Sequence, residues 1–224
     1  MKVSVVQFPG TNCEYDTKYA FERLGAEVEI VWHKETKFSD DTDLVVVAGG
    51  FSYGDYLRSG AIARFSPVMQ AVTAHAQKGG NVLGICNGFQ VLTEAGLLPG
   101  ALKRNEGLHF ISKHHHLKVA SNNNTFLTKL SVNDLVNIPI AHHDGNYFID
   151  EDGKKELYAN DQVLLHYTDE NGNISNPNGS VDAIAGVCNK EKNVFGLMPH
   201  PERAMETILG SDDGINMLKG FLES

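Results

Sequence analysis

Short apolar runs alternate with amphipathic stretches along the first hundred residues. Runs rich in aliphatic residues predict strands over residues 3–8, 26–32, 44–48 and 81–85. Apolar residues at helical spacing predict helices over residues 15–24 and 67–77, which are ended by Gly25 and by Gly79-Gly80. The order is therefore β-α-β-β-α-β, which favours a mainly parallel sheet with helices on both faces.

The pattern changes after Pro99, where strands become more frequent and the connecting loops become longer and more polar. Further strands are predicted over residues 108–119, 163–167, 181–188 and 194–198. Since there is no long linker, internal repeat or low-complexity tract, we interpret residues 1–224 as one α/β domain with extra β-strands in its C-terminal half.

Composition narrows the class of protein. Hydrophobic residues make up 42% of the chain and charged residues 21%, as in soluble globular proteins. The net charge of −9 is spread without a basic patch, which argues against nucleic acid as a partner. With no signal peptide and no apolar run long enough to span a membrane, a cytoplasmic location is expected. The three cysteines show no metal-ligand spacing, so no metal site is predicted.

The segment Gly-Ile-Cys-Asn-Gly joins the strand at residues 81–85 to a helix predicted to reach Glu94. This is the G-x-nucleophile-x-G pattern of a sharp strand-to-helix turn, with Cys86 as the nucleophile. The helix N-terminus favours the reactive thiolate. The backbone N–H of Asn87 and the loop at residues 49–51 are candidates for oxyanion binding. The alternative is that Cys86 is a small buried hydrophobic residue, but such a cysteine would need neither glycine.

A cysteine nucleophile needs a base, and His200 in Met-Pro-His-Pro-Glu is the candidate. It follows a predicted strand, and ligands of open α/β sheets bind beyond strand ends. Glu202 can accept a hydrogen bond from the imidazole and stabilise its charged form. The three residues thus form a candidate catalytic triad.

These two motifs together resemble those of class I (triad-type) glutamine amidotransferases, which have a flavodoxin-like fold. The similarity extends to residues 49–67, 84–102 and 198–203, which are similar to segments of the small glutaminase subunits of phosphoribosylformylglycinamidine synthase. It covers essentially the whole chain.

The resemblance implies that Cys86 attacks the carboxamide of glutamine and forms a glutamyl thioester, with His200 and Glu202 completing the triad. The ammonia would pass to a large synthetase subunit that uses ATP and magnesium for purine biosynthesis, and a third small subunit is also implied. No cofactor is expected in this chain, which has no P-loop. The residues expected to contact the substrate or the oxyanion are Gly50, Phe51, Ser52, Gly54, Asn87 and Gln90.

One loop departs from the family. Where the family usually has His-Gly-Glu-Gly, this chain has His-His-Asp-Gly at residues 142–145, so His143 replaces a flexible glycine. The run at residues 114–116 contains three histidines, of which at most His114 and His116 can share one ion in a strand. A solvated edge is the favoured interpretation. Cys188 is expected in the core, and Cys13 at the edge of the site without a role.

Two other classes of function remain open. A cysteine hydrolase or peptidase of a related flavodoxin-like fold would share the Cys86 turn but would not require Gln90 or the separate His200-Pro-Glu202 segment. A catalytically inactive regulatory subunit would keep the fold, although the intact triad argues against it.

Overall fold

A computed structural model describes residues 1–222, and over this range it contains five α-helices, eleven β-strands and several short 3-10 turns. The helices are α1 (Glu14–Arg23), α2 (Val68–Gln77), α3 (Asn87–Glu94), α4 (Glu151–Ala159) and α5 (Gly214–Leu222). The strands are β1 (Lys2–Gln7), β2 (Glu27–Trp32), β3 (Leu44–Val47), β4 (Asn81–Ile85), β5 (Ala101–Lys103), β6 (Ile111–Val119), β7 (Leu135–His142), β8 (Asn146–Phe148), β9 (Val163–Thr168), β10 (Ile184–Cys188) and β11 (Val194–Leu197).

Nine of the strands in residues 1–222 form one sheet in the order β2-β1-β3-β4-β11-β10-β9-β6-β7. The first five strands of this order are mutually parallel, and the remaining pairs are antiparallel. The α/β fold with a parallel central sheet and additional strands from the second half is therefore confirmed. Strands β5 and β8 pair separately.

The parallel strands are the most hydrophobic part of the chain. All four residues of β3 are buried, so both faces of the sheet are covered at this point. Helix α1 packs on β1 and β2, while α3 packs on β3, β4 and β11. The unbroken apolar run of β3 predicts this strand well because a strand covered on both faces needs no alternation of polar residues.

Two predicted strands begin later than expected. The strand predicted from residue 108 begins at Ile111. Leu108 has a positive φ of 54°, so the chain is not extended at that residue. The strand predicted from residue 181 begins at Ile184, because Asp182 and Ala183 also have positive φ angles.

Several elements were not predicted at all. Strand β7 contains Pro139, which usually argues against a strand, but β7 is an edge strand and there the missing N–H is tolerated. Helix α4 was missed because it is mostly polar and buries only Leu157. The short strands β5 and β8 and the C-terminal α5 were also not expected.

Among residues 1–222, no helix combines the length and the apolar character needed to cross a membrane.

Candidate active site

The candidate site lies where the parallel strands β1, β3, β4 and β11 end. Pairing of Gly84 with Gly196 and of Ile85 with Leu197 brings the chain after β4 beside the chain after β11. The backbone N–H of Cys86 donates to the carbonyl of Leu197 (2.8 Å), which fixes this register at the site. The two motifs that are distant in sequence thus meet at one edge of the sheet, where open α/β folds bind ligands.

Cys86 occupies a strained backbone conformation between β4 and α3. Its φ of 49° and ψ of −104° are unusual for a residue with a side chain, and such strain is typical of functional sites. A Cβ at Gly88 would overlap the carbonyl oxygen of Val47, and one at Gly84 would lie 2.8 Å from the backbone of Gly88. Both glycines are therefore required by the tight turn. Asn87 is the first residue of α3, so its N–H has no partner within the helix.

His200 and Glu202 form a fully buried pair. Nδ1 of His200 lies 2.7 Å from Oε1 of Glu202. The backbone N–H of His200 donates to the carbonyl of Pro139 on β7 (2.8 Å), which holds the ring in place. The Nε2 atom has no hydrogen-bond partner and faces the side of the site that contains Cys86.

The surroundings of His200 favour its charged form. Burial disfavours the imidazolium, but Glu202, Cys86 and Cys13 together outweigh this effect and raise the pKa of His200 well above its ordinary value. The pKa of the Cys13 thiol is raised, mainly by burial. A carboxylate-stabilised imidazolium next to a cysteine can protonate a leaving amine.

A cavity of about 270 Å³ opens onto this pair. The sulfur of Cys86 is 3.6 Å from the carbonyl oxygen of Ala141. A cavity of this size suits a small metabolite better than a protein segment. Its lining consists of Asn12, Cys13, Gly50, Phe51, Cys86, Phe110, Ser112, Ala141, His200 and Arg203.

Some of the residues expected to contact the substrate line the cavity, and others lie outside it. Gly50 and Phe51 line the cavity, and a Cβ at Gly50 would lie 2.5 Å from the backbone nitrogen of Asn12. Ser52 and Gly54 lie in the following turn and do not line the cavity. Their predicted contact with substrate remains a prediction.

The side chains of Asn87 and Gln90 form hydrogen bonds with other groups of the protein. Oδ1 of Asn87 accepts from the backbone N–H of Ser52 (3.0 Å), and Nδ2 of Asn87 donates to Oε1 of Gln90 (2.8 Å). Nε2 of Gln90 donates to the carbonyl of Asp144 (2.7 Å). These bonds connect α3 to the loops that contain Ser52 and Asp144, and the backbone N–H of Asn87 is free to act on an oxyanion.

The loop at residues 142–145 accommodates its departure from the family pattern. His143 does not have a positive φ, so glycine is not required there, and its Nδ1 lies 3.1 Å from Oδ1 of Asp144. His142 is buried, contacts Oδ1 of Asn105 at 3.1 Å, and has a pKa lowered to about 4 by burial and by the nearby His200. The imidazole of His142 is therefore neutral near pH 7, close to His200.

Sequence reasoning assigned no role to Cys13 and did not select Arg203. Nη2 of Arg203 donates to the sulfur of Cys13 (3.2 Å), and Nε of Arg203 donates to Asp16 (2.9 Å). The expected edge position of Cys13 agrees with its place in the cavity wall. No local pattern marks this group, because its members lie at the start of α1 and after β11.

The other candidates lie elsewhere. His114 is exposed and His116 half-buried on the inner strand β6, and they do not belong to the group of possible metal ligands found in residues 1–222. That group is Cys13, His200 and Glu202. Cys188 is fully buried in β10, as expected for a core residue.

Comparison with known proteins agrees with this geometry. Residues 1–213 match the family model of the CobB/CobQ-like glutamine amidotransferase domain. The chain is 75% identical, over the full length of both proteins, to the phosphoribosylformylglycinamidine synthase subunit PurQ of Sulfurimonas denitrificans. It matches a chain in the structure of PurLQS from Thermotoga maritima with 40% identity and a TM-score of 0.89, covering 99% of this chain and 97% of that one.

A more distant match shows the fold alone. A glutamine amidotransferase structure from Thermotoga maritima is 15% identical with a TM-score of 0.63, covering 100% of this chain and 99% of that one. The chain therefore belongs to the CobB/CobQ-like glutamine amidotransferase family and, within it, to the family of phosphoribosylformylglycinamidine synthase PurQ subunits.

Proposed function

We propose that this chain is the glutaminase subunit of a phosphoribosylformylglycinamidine synthase. The observation that carries the proposal is the buried His200–Glu202 pair beside Cys86, at the strained turn that begins α3. An orienting carboxylate, a base and a sulfur nucleophile in one cavity are the parts that thioester chemistry on an amide requires.

The proposed reaction has two halves. The Cys86 thiolate attacks the side-chain carboxamide carbon of glutamine, and the oxyanion that forms is stabilised by the N–H of Asn87 and by the loop containing Gly50 and Phe51. The imidazolium of His200 gives its proton to the departing nitrogen, so the C–N bond breaks and ammonia leaves. His200, now neutral, takes a proton from water, which cleaves the Cys86 thioester to glutamate.

The partners follow from the family. The proposal places the ammonia acceptor, together with ATP and magnesium, in a separate large synthetase subunit, and includes a third small subunit in the complex. Support comes from the PurLQS structure, which the chain matches over 99% of its length. This chain needs no cofactor for the chemistry described above, because all the required groups are its own side chains and amides.

The proposal also includes a single domain over residues 1–224 and a cytoplasmic location. One nine-stranded sheet, with the small β5–β8 pair beside it, and one contiguous hydrophobic core across the described residues support the first part. The second part follows from the pathway, because purine nucleotides are made where their precursors and ATP are available.

The decisive experiment compares two nitrogen sources in the assembled complex. Cys86→Ala should abolish glutamine-dependent amidation while ammonia-dependent amidation remains close to that of the wild type, because the thioester is needed only to release ammonia. Cys188→Ala provides the matched control, since Cys188 is buried in β10 and does not line the cavity. Equal loss of both activities in Cys86→Ala would show that Cys86 is structural and would reject the proposal.

Two further measurements separate the alternatives, namely amide cleavage with and without the synthetase and labelling of Cys86. A stand-alone hydrolase would cleave amides without the synthetase and would gain nothing from its addition. An inactive regulatory subunit would not be labelled at Cys86 by an electrophilic glutamine analogue.

A further inference from the structure

Three asparagines of the chain are followed directly by glycine, namely Asn87, Asn171 and Asn178. An Asn-Gly pair can deamidate within itself, because glycine has no Cβ to shield its backbone nitrogen from the asparagine side chain. The nitrogen attacks the carboxamide carbon, a succinimide ring forms and ammonia leaves. In a folded protein the reaction requires a free asparagine side chain and a following backbone nitrogen that can move towards it.

The fold holds the side chain of Asn87 at both of its polar atoms. Asn87 is buried, its Oδ1 accepts from the backbone N–H of Ser52 (3.0 Å), and its Nδ2 donates to Oε1 of Gln90 (2.8 Å). The backbone of Gly88 is fixed as well, because it lies in α3, where an added Cβ would overlap the carbonyl oxygen of Val47. Ring closure at Asn87 therefore requires the start of α3 to open.

The side chain of Asn178 is held in the same way. Asn178 is buried, its Nδ2 donates to the carbonyl of Gly145 (2.8 Å), and its Oδ1 accepts from Oγ of Ser180 (2.7 Å). A Cβ added to Gly179 would lie 2.8 Å from Cβ of Glu106, so the backbone that follows Asn178 is also enclosed. Ring closure at this pair requires these contacts to break together.

Asn171 lies in a surface turn that follows β9. It is exposed, as are residues 170, 173 and 174, and its side chain makes no hydrogen bond with any of residues 1–222. The N–H of Gly172 donates to the carbonyl of Asp169 (3.1 Å), and Gly172 has a positive φ of 79°. Because one hydrogen bond at the surface restrains the attacking nitrogen, a small local opening of the turn releases it.

We propose that Asn171 is the site at which the folded protein deamidates. The backbone nitrogen of Gly172 forms a bond to Cγ of Asn171, the bond from Cγ to Nδ2 breaks, and ammonia leaves with the proton of the Gly172 amide. Water then opens the succinimide at either carbonyl and leaves aspartate or isoaspartate at position 171, with no change of oxidation state. The reaction is independent of the proposed glutaminase chemistry, because Asn171 does not line the cavity at Cys86.

The product adds a negative charge beside an existing one. Oδ1 of Asp169 accepts from the backbone N–H groups of Asn171 (2.9 Å) and Asn173 (2.9 Å), so its carboxylate lies within the same turn. Isoaspartate also inserts a methylene group into the main chain, which disturbs the hydrogen bond from Nζ of Lys118 to the carbonyl of Gly172 (3.0 Å). The modification is therefore expected to loosen this turn and to leave the buried core intact.

A time course of the folded, full-length chain in mildly alkaline buffer tests the site, with peptide mass spectrometry that distinguishes asparagine, aspartate and isoaspartate. Conversion at Asn171 should be at least tenfold faster than at Asn87 or Asn178. In urea, which unfolds the chain, the three rates should come within about threefold of one another, because only the fold separates the three pairs. A smaller difference than tenfold in the folded chain, or a difference that persists in urea, would overturn the proposal.

Two variants test the same site through the charge of the whole protein. Native isoelectric focusing of the incubated wild type should show a more acidic band that grows with time. Asn171→Gln should lose this band, since its longer side chain closes a six-membered ring far more slowly. Asn216→Gln is the matched control and should keep the band, because Asn216 is exposed on α5 but is followed by Met217. Equal growth of the band in Asn171→Gln would assign the deamidation to another residue.

Discussion

Among single residues, Glu202 has the clearest effect, because its carboxylate stabilises the charged imidazole of His200 in the protein interior. Both His200 and Glu202 are almost completely buried, and burial alone would keep His200 neutral. The carboxylate 2.7 Å from Nδ1 reverses that preference and fixes the ring. This pairing is therefore expected to set the rate of ammonia release.

Replacing Glu202 by Gln preserves the size of the side chain but removes its charge. We expect thioester formation to slow by about 10²–10⁴-fold, as for loss of an orienting carboxylate in a catalytic triad. Rapid-quench measurement of acyl-enzyme formation with glutamine tests this. Glu170→Gln is the matched control, because Glu170 is exposed in a turn. A normal acylation rate in Glu202→Gln would remove this carboxylate from the mechanism.

The triad could be named from sequence because each part is contained in a short motif. Cys86 lies between two glycines, and His200 and Glu202 lie in one proline-flanked segment. Cys13 and Arg203 are different, since their place in the site depends on a contact between the start of α1 and the chain after β11. The same is true of Gln90, whose bond to the carbonyl of Asp144 joins two distant loops.

At the scale of elements, the close approach of α3 to β3 depends on Gly88. The Val47 carbonyl that a new methyl group would meet belongs to the backbone of a buried strand, so it cannot rotate away. We expect Gly88→Ala to lower the free energy of unfolding by about 3 kcal/mol, measured by urea denaturation.

Gly107→Ala tests whether that effect is specific. A Cβ at Gly107 would have its nearest neighbour, a carbon of His109, at 3.8 Å, so the change in stability should stay within about 1 kcal/mol. If Gly88→Ala is as stable as Gly107→Ala, the packing argument for the turn is wrong.

Helix α4 depends on its N-cap more than on its packing. Oδ1 of Asp150 accepts from the backbone N–H of Gly153 (2.8 Å), and the helix buries only Leu157. Asp150→Ala should lower the free energy of unfolding by about 1 kcal/mol, whereas Asp150→Asn, an equally good cap, should change it little. Calorimetric unfolding of the two variants measures the difference. A loss in Asn equal to that in Ala would assign the effect to charge.

Buried helices and strands were easier to predict from the sequence than exposed ones, because burial requires apolar residues in a recognisable pattern. The parallel strands are rich in aliphatic residues, most of all β3, and they were predicted within one or two residues. Helix α4 and strand β7 were missed because one is mostly polar and the other contains Pro139. For β7 the position at the edge of the sheet decides the structure, whereas the local signal for α4 is its N-cap, Asp150, and not an apolar pattern.

At the scale of the whole molecule, the site is assembled from both kinds of sheet. Strand β11 is the last parallel strand and pairs with antiparallel β10, and β7 at the far end supplies Pro139 and Ala141 to the site. Loops from the two parts also meet around Asp144, whose Oδ2 accepts from Ser59 (3.0 Å). Contacts between segments that lie so far apart in the chain leave no recognisable pattern in a single sequence.

The meeting of these loops has an electrostatic consequence at Asp55. Burial, aided by the negative charge of Asp144, raises the pKa of Asp55 from 3.8 to about 6. A carboxyl group with a raised pKa in the folded state stabilises the protein most below its unfolded pKa, and this contribution is lost as the pH rises through 6. The shift is equivalent to about 1–2 kcal/mol once solvent screening of this partly exposed side chain is allowed for.

Asp55→Asn should remove this dependence. Asparagine tolerates the positive φ of 54° at this position, so the backbone is not disturbed. Relative to the wild type, the variant should gain about 1–2 kcal/mol in the free energy of unfolding between pH 4 and pH 7, measured by urea denaturation across that range. Asp152→Asn, at an exposed site on α4, controls for the loss of one carboxylate. A constant difference between Asp55→Asn and the wild type at every pH would show that Asp55 is ionised alike in both states, and that the two loops approach without electrostatic strain.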